Sequence, residues 1–393
     1  MSRSVENVLV LQGGGSLGAF GCGVFKALCD YGIKFDIVGG TSIGAVNAAI
    51  ICGSKKGDPA QDLEDFWLDI AESSYGLLPD ILIPYYDSSS GTFSTRKMPW
   101  ATANSVMFGV PRFFTPRWLQ LVQENYTDLM QWPMEWTHYY DHTPLIHTLE
   151  KYVDYAKISR KAAANKNTPR MIATAVNVKT AEALVFDSAK MDVQPKHILA
   201  SCAYSAYGFP WINIDTDVYA WDGSLLSNTP LKEVMEASPR NDKDVYIVEN
   251  YPRRIDRLPA NRSEVVDRTR DIIFSDKTIY DLRAWKHMSR QTDLIEKLYD
   301  IVEKKIGIKS LDPSLSSQIK KDYDDLVGKY GAEIMSIHRI ARNRMESPHI
   351  LKNADFSVRT IKDLIRQGEQ KTLEHLKSAE DPELAELLKL LYL

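Results

Sequence analysis

A chain of 393 residues, 44% of them hydrophobic and 25% charged, has globular composition and is long enough for one large domain or two modest ones. Its formal charge of −4 and pI near 6.1 exclude the overall basic excess of nucleic-acid binders, so no nucleic-acid partner is expected. The four cysteines, Cys22, Cys29, Cys52 and Cys202, have no C-x-x-C spacing and read as reduced thiols, which favours a cytoplasmic location.

The first residues lack a basic stretch followed by an apolar run and a small-residue cleavage site, so no secretory signal is expected. Asn7 to Gln12 is a short apolar run that predicts a strand. After the turn "GGGS", Leu17 to Tyr31 has helical spacing through Leu17, Phe20, Val24, Phe25 and Leu28. Phe35 to Val38 repeats the arrangement, with the turn "GGTSIG" and a helix from Ile43 to Cys52 ended by Gly53. The uncharged runs Asn7 to Phe25 and Ile37 to Ser54 approach membrane-span length, but glycines and polar residues break both. Two strand-turn-helix units in succession predict an α/β fold, a mostly parallel central sheet flanked by helices.

Pro59 to Ser73 predicts an amphipathic helix. Residues 75–147 then form an irregular, aromatic-rich insertion with Trp100, Trp118, Trp132, Trp136, Tyr139 and Tyr140, suited either to a lid or to a helical subdomain. Strands are expected at Met171 to Val178, Ala183 to Phe186, Ile212 to Trp221 and Asp244 to Asn250, with a helix over Pro195 to Ala206. The α/β domain is expected to cover residues 1–252.

Residues 253–393 change to long, densely charged segments, predicted as helices over Ser263 to Ile306, Ser314 to Ala341 and Ser357 to Ser378. An extended piece, "HILKNADFS", interrupts them, and the apolar end "LAELLKLLYL" is expected to pack on the body rather than on a membrane or a partner.

Three features carry chemistry. "GGTSIGAVNAA" contains G-x-S-x-G at Gly40, Ser42 and Gly44 between a predicted strand and a predicted helix, the context of a nucleophile elbow. Serine on that turn is exposed at the positive end of the following helix. A serine nucleophile needs N–H donors for a developing oxyanion, which the glycines before the first helix can supply.

Those glycines have a rival reading, because Gly13, Gly15 and Gly18 also match the G-x-G-x-x-G of a dinucleotide site. That reading asks for an acid at the end of the second strand; Asp36 opens the strand instead, and "GGTS" occupies its end. The serine also needs a base. None of His138, His142, His147, His197, His287, His338, His349 and His375 stands in a sharp turn after a strand, whereas Asp222 stands in a D-G turn at the end of one. A desolvated carboxylate can accept a proton from a hydroxyl bonded to it, although an aspartate in that place can equally be a turn former.

In this order and spacing, "LQGGGSLGAFGCGVFKAL", "GGTSIGAVNAA" and "YAWDGSLLSNTPL" resemble the three signature blocks of the patatin-like phospholipase family, over Val8 to Asn250. The resemblance implies a three-layer α/β fold and a Ser-Asp dyad without histidine. Ser42 would be the nucleophile, Asp222 the base, and the backbone at Gly13, Gly14 and Gly15 the oxyanion hole, with Asn228 and Pro230 shaping the loop after Asp222. No metal or organic cofactor is required. The chain departs from the family at Ser224, where glycine or alanine is commoner, and lacks a usual proline near Ser205. Its C-terminal region resembles the extension of one bacterial subgroup.

The implied activity is hydrolysis of fatty acyl esters of phospholipids or related lipids, with peripheral membrane contact through the insertion and the apolar end. The same dyad would also serve a thioesterase, an acyltransferase or an intracellular polyester hydrolase, and a non-enzymatic lipid-binding protein is the reading from another class. Oligomeric state is not legible.

Overall fold

In the computed structural model, residues 4–74, 82–87, 92–97, 100–119, 136–165, 168–239, 241–255, 257–275, 278–305, 312–342 and 352–378 are described. The first two apolar runs pair as parallel strands, β1 (Val5–Leu11) and β2 (Ile37–Thr41), with Val8 opposite Ile37 and Leu11 opposite Gly40. Helix α1 (Ala19–Asp30) is their crossover, and α2 (Ile43–Gly53) leaves β2, every residue of it buried. A helix hidden all round belongs inside the fold, as its uncharged sequence requires. The amphipathic α3 (Pro59–Ser73) follows, its N-terminus capped by Asp58.

The insertion holds a hairpin, β3 (Leu82–Asp87) with β4 (Thr92–Lys97), then α4 (Trp100–Phe108) and a short pair, β5 (Thr115–Pro116) with β6 (Tyr140–Asp141). Tyr75 and Trp132 lie outside the described residues. Next come α5 (Pro144–Tyr152), α6 (Arg160–Asn165), β7 (Arg170–Asn177), β8 (Ala183–Asp187) and α7 (Pro195–Ser201). The helix expected to reach Ala206 therefore stops at Ser201. The strand pattern over Ile212 to Trp221 is a hairpin, β9 (Ile212–Asp215) and β10 (Val218–Asp222), turned at Asp217 with φ of 62°. Helix α8 (Leu231–Ala237) leads to β11 (Asp242–Glu249).

Beyond it, α9 (Arg262–Phe274), α10 (Thr278–Lys305) and α11 (Pro313–Tyr330) are helical as expected. The helix predicted to continue to Ala341 does not. Residues 334–341 form β12 (Ile334–Ala341), which pairs in parallel with β11. Isoleucines at 334, 337 and 340 mimic one face of a helix, and the charge of Arg339 is hidden in a buried pair with Glu249 at 2.6 Å. The sheet thus draws a strand from beyond residue 252. Helix α12 (Val358–Lys377) completes the described chain, and "LAELLKLLYL" lies outside it.

The sheet runs β12-β11-β1-β2-β7-β10-β9, with β8 on the other side of β7. Its first four pairings are parallel and those involving β8, β9 and β10 antiparallel. Alternate strand residues fill two cores: Val8, Val10, Ile37 and Ile247 face α8 and α10, while Leu9, Leu11, Val38 and Val248 face α1, α2 and α3. On the second face α12 crosses α1 at two glycines. A Cβ on Gly23 would overlap the Ile365 carbonyl, and one on Gly368 that of Phe20, so the backbones meet only because neither residue has a side chain. Among the described residues, no helix is long and apolar enough to cross a membrane.

Candidate active site

Strand β7 is the template of the site. Up to Thr174 one of its edges pairs with β2, Thr41 lying opposite Thr174. Where β2 ends, β10 takes over the same edge, and Asp222 lies opposite Ala175. The last residue of β2 and the last of β10 therefore occupy successive places along one strand. Ser42, next after Thr41, is brought to Asp222, and the hydroxyls of Thr41 and Thr174 tie the junction at 2.7 Å.

Ser42 has φ 57° and ψ −128°, a strained conformation for a residue with a side chain. The G-x-S-x-G spacing makes that turn fit. A Cβ on Gly40 would overlap the backbone of Gly44, and one on Gly44 the carbonyl of Leu11. The Ser42 carbonyl accepts the Ala45 N–H at 2.8 Å, so the turn passes directly into α2, whose positive end faces the hydroxyl.

Asp222 is fully buried. Its Oδ1 accepts the Ser224 N–H at 2.8 Å, the bond that shapes the D-G turn. Burial raises its pKa to about 6, against the hydrogen-bonding influence of the Ser42 hydroxyl and of Ser224. Oδ2 closes no hydrogen bond of ordinary geometry, so the carboxyl has an acceptor to spare beside the serine. The arrangement is a poised base next to a strained hydroxyl.

The three glycines after β1 divide. The Gly13 N–H, one of the three expected oxyanion donors, donates to the Asn228 carbonyl at 3.2 Å. Gly14 and Gly15 line the cavity in front of Ser42, and their N–H groups meet no acceptor among the described residues. Gly15 has φ 57° and lies under the Asn353 carbonyl, where a Cβ would not fit. The turn is held by side chains. Asn250 Nδ2 donates to the carbonyls of Gln12 (2.9 Å) and Gly13 (3.1 Å), and Gln12 Nε2 donates to the Phe274 carbonyl at 2.8 Å.

The cavity measures about 200 Å³. Ser42, Gly14, Gly15 and Asp222 line it together with two groups of rings. Phe113, Phe114, Tyr140, Phe209 and Phe356 contact one another, as do Tyr204, Tyr207, Tyr251 and Phe274. The first group is apolar apart from one hydroxyl; the second carries three. Asn228 and Ser224 line the cavity as well, so the departure at residue 224 lies on its wall.

No histidine is among the lining residues. His142 and His197 are buried elsewhere, where desolvation lowers their pKa to about 4; His142 Nε2 contacts the Leu199 carbonyl at 3.0 Å, and His197 Nδ1 accepts the Gln194 N–H that caps α7. His349 lies outside the described residues.

Ser201, Asn250, Asn353 and Phe356 belong to the site without a signal in the sequence. Asn353 and Phe356 fall in "HILKNADFS", which reads as a connector, and their lining role follows only from the folding of that segment across the glycine turn.

A family model described as Patatin-like phospholipase matches residues 9–235. The chain is 34% identical over 84 residues to Patatin-like phospholipase domain-containing protein 7 of Rattus norvegicus, covering 21% of this chain and 6% of that protein. It is 60% identical over 42 residues to Lysophospholipase nte1 of Aspergillus terreus, covering 11% of this chain and 3% of that one. The matches thus span well under a tenth of these relatives. Among solved structures, the crystal structure of VipD from Legionella pneumophila aligns with a TM-score of 0.40 at 16% identity, covering 94% of this chain and 66% of that one.

Proposed function

The chain belongs to the patatin-like phospholipase family, and from that premise we propose that it is a lipid acyl hydrolase working through Ser42 and Asp222. The observation that carries the reading is the buried Asp222, with a pKa near 6, delivered by β7 to the hydroxyl of Ser42 in an aromatic cavity.

In the first half-reaction Asp222 accepts the Ser42 proton as Oγ attacks the ester carbonyl. The carbonyl oxygen becomes an oxyanion held by the Gly14 and Gly15 N–H groups, an interaction worth roughly 3–4 kcal/mol of barrier per donor. Collapse breaks the bond to the alcohol, which leaves with the proton from Asp222. In the second half-reaction Asp222 takes a proton from water, the water oxygen attacks the acyl-serine, and collapse returns the proton to Ser42 and releases the fatty acid. The ring group of Phe113, Phe114, Phe209 and Phe356 suits the acyl chain.

In this reading residues 1–252 carry the reacting groups, the insertion at 75–147 supplies part of the acyl wall, and the C-terminal region covers the glycine turn through Asn353. Met107, Trp118 and Tyr139 of the insertion are exposed and suit peripheral contact with a lipid surface. The buried free thiols of Cys22, Cys52 and Cys202 suit a reducing compartment such as the cytoplasm.

The test is incubation of the purified full chain with a mixed lipid extract, with products compared by mass spectrometry against Ser42→Ala. Free fatty acids and deacylated lipids should accumulate with the wild type alone. Equal products from both proteins would refute the reading.

A further inference from the structure

Most cations around the glycine turn are spent. Lys352, buried, pairs with Asp267 at 2.9 Å and with Asp271; Arg339 pairs with Glu249; Arg268 donates to the carbonyls of Pro252 and Arg253; and Arg342 Nε donates to the Asn250 carbonyl. Arg270 on α9 bonds instead to a side chain of the cavity wall. Among the described residues it has no carboxylate partner. Its Nη1 donates to the neutral Asn353 Oδ1 at 3.0 Å, and its guanidinium lies 5.6 Å from the centre of the Tyr207 ring.

Arg270 does not itself line the cavity, but these contacts place it directly behind two residues that do. Asn353 and Tyr207 both line it, and Asn353 Nδ2 donates to the Tyr207 hydroxyl at 3.0 Å, which closes a fixed triangle of the three residues. Asn353 also covers Gly15. Burial pushes the Tyr204 and Tyr207 phenols up while the Arg270 charge acts the other way, so that charge reaches the hydroxyl-bearing ring group of the wall. A guanidinium has five N–H donors, and a half-buried one with a single neutral partner has capacity for an anion. Its fork matches the oxygens of a phosphate.

We propose that Arg270 reads the phosphate of a phospholipid whose acyl ester lies at Ser42. The assignment rests on the acyl-hydrolase reading above and makes the C-terminal region a source of substrate specificity. The acyl chain lies along Phe113, Phe114 and Phe356, and the phosphate is held beside Tyr207 and Asn353. A neutral glyceride offers Arg270 nothing.

The test compares phosphatidylglycerol with diacylglycerol of the same acyl chains, in identical mixed micelles, for wild type, Arg270→Gln and Arg270→Lys. The Gln variant should lose about tenfold or more in kcat/KM on phosphatidylglycerol, mainly through KM, with less than about twofold change on diacylglycerol. The Lys variant, which keeps charge without the fork, should recover part of the loss. Equal loss on both lipids, or none on either, overturns the assignment. So does a wild type without preference for the phosphate-bearing lipid, an outcome that stands even if the Gln variant does not fold. A thermal shift with inorganic phosphate that depends on Arg270, with the substrate ratio unchanged, would give the guanidinium to a free anion instead. Turnover of both lipids that persists in Ser42→Ala would overturn the acyl-hydrolase reading itself, whereas an unchanged ratio with Ser42-dependent turnover overturns the role of Arg270 alone.

Discussion

The main-chain N–H of Ser42 donates to Oγ of Ser201 at 2.9 Å, tying the strained turn after β2 to the last residue of α7, 159 positions along the chain. Ser201 is fully buried, so no water can replace it as acceptor without a rearrangement. Ser201→Ala should leave the Ser42 N–H unpaired and cost about 1–3 kcal/mol of stability. The elbow would relax and kcat should fall roughly tenfold, since small displacements at a reacting atom are expensive. Denaturant unfolding together with kcat on a soluble ester checks both.

Activity should follow the ionisation of Asp222. As a base it works only when charged, so kcat/KM should rise with pH, about tenfold per unit, and level off near pH 6. His142→Gln and His197→Gln should not move that midpoint, because neither ring lines the cavity. A profile whose midpoint shifts with either histidine would remove Asp222 from the role.

Stability should depend on the same carboxyl with the opposite preference. Its folded pKa, about 6 against 3.8 when free, means that the folded state holds the proton more tightly. The stabilisation this provides is complete below about 3.8 and is lost as pH rises through about 6. Asp222→Asn removes the charged form, so above pH 6 it should be more stable than the wild type by about 3 kcal/mol, and inactive. The difference in Tm between the two proteins should close as the pH is lowered to about 4.

Phe356 packs against Phe113, with ring centres 5.5 Å apart, and against Phe114 at 6.2 Å, on the wall of the cavity. Phe356→Ala should cost about 3–5 kcal/mol and leave space where the ring was. On esters of increasing chain length, the preferred acyl group should become longer than for the wild type. An unchanged chain-length profile would separate this wall from the acyl subsite.

The strained turn at Ser42 is legible in the sequence because its local geometry demands particular neighbours. A serine at φ 57° needs small neighbours at fixed offsets, and Gly40 and Gly44 announce it. Asp222 was visible as a turn residue, but its burial follows from the β7 register, a long-range pairing that no local pattern encodes. The acceptor that the Gly13 N–H finds is hidden for the same reason, since it comes from Asn228, far along the chain. Strand β12 was misread because its isoleucines fall three apart. Arg270 looked like one more charge on a charged helix, and only the fold shows that its partner is an amide on the cavity wall.

The glycine crossing of α1 and α12 also sets an order of events during synthesis. Helix α1 precedes α12 by more than 300 residues, so the surface that receives Ile361, Leu364 and Ile365 stays uncovered until α12 has been made. At roughly 5–20 residues per second the wait is on the order of tens of seconds. Through that interval the apolar face of α1 around Phe20 lacks its cover, so the completion of this helix's packing waits on a segment more than 300 residues downstream.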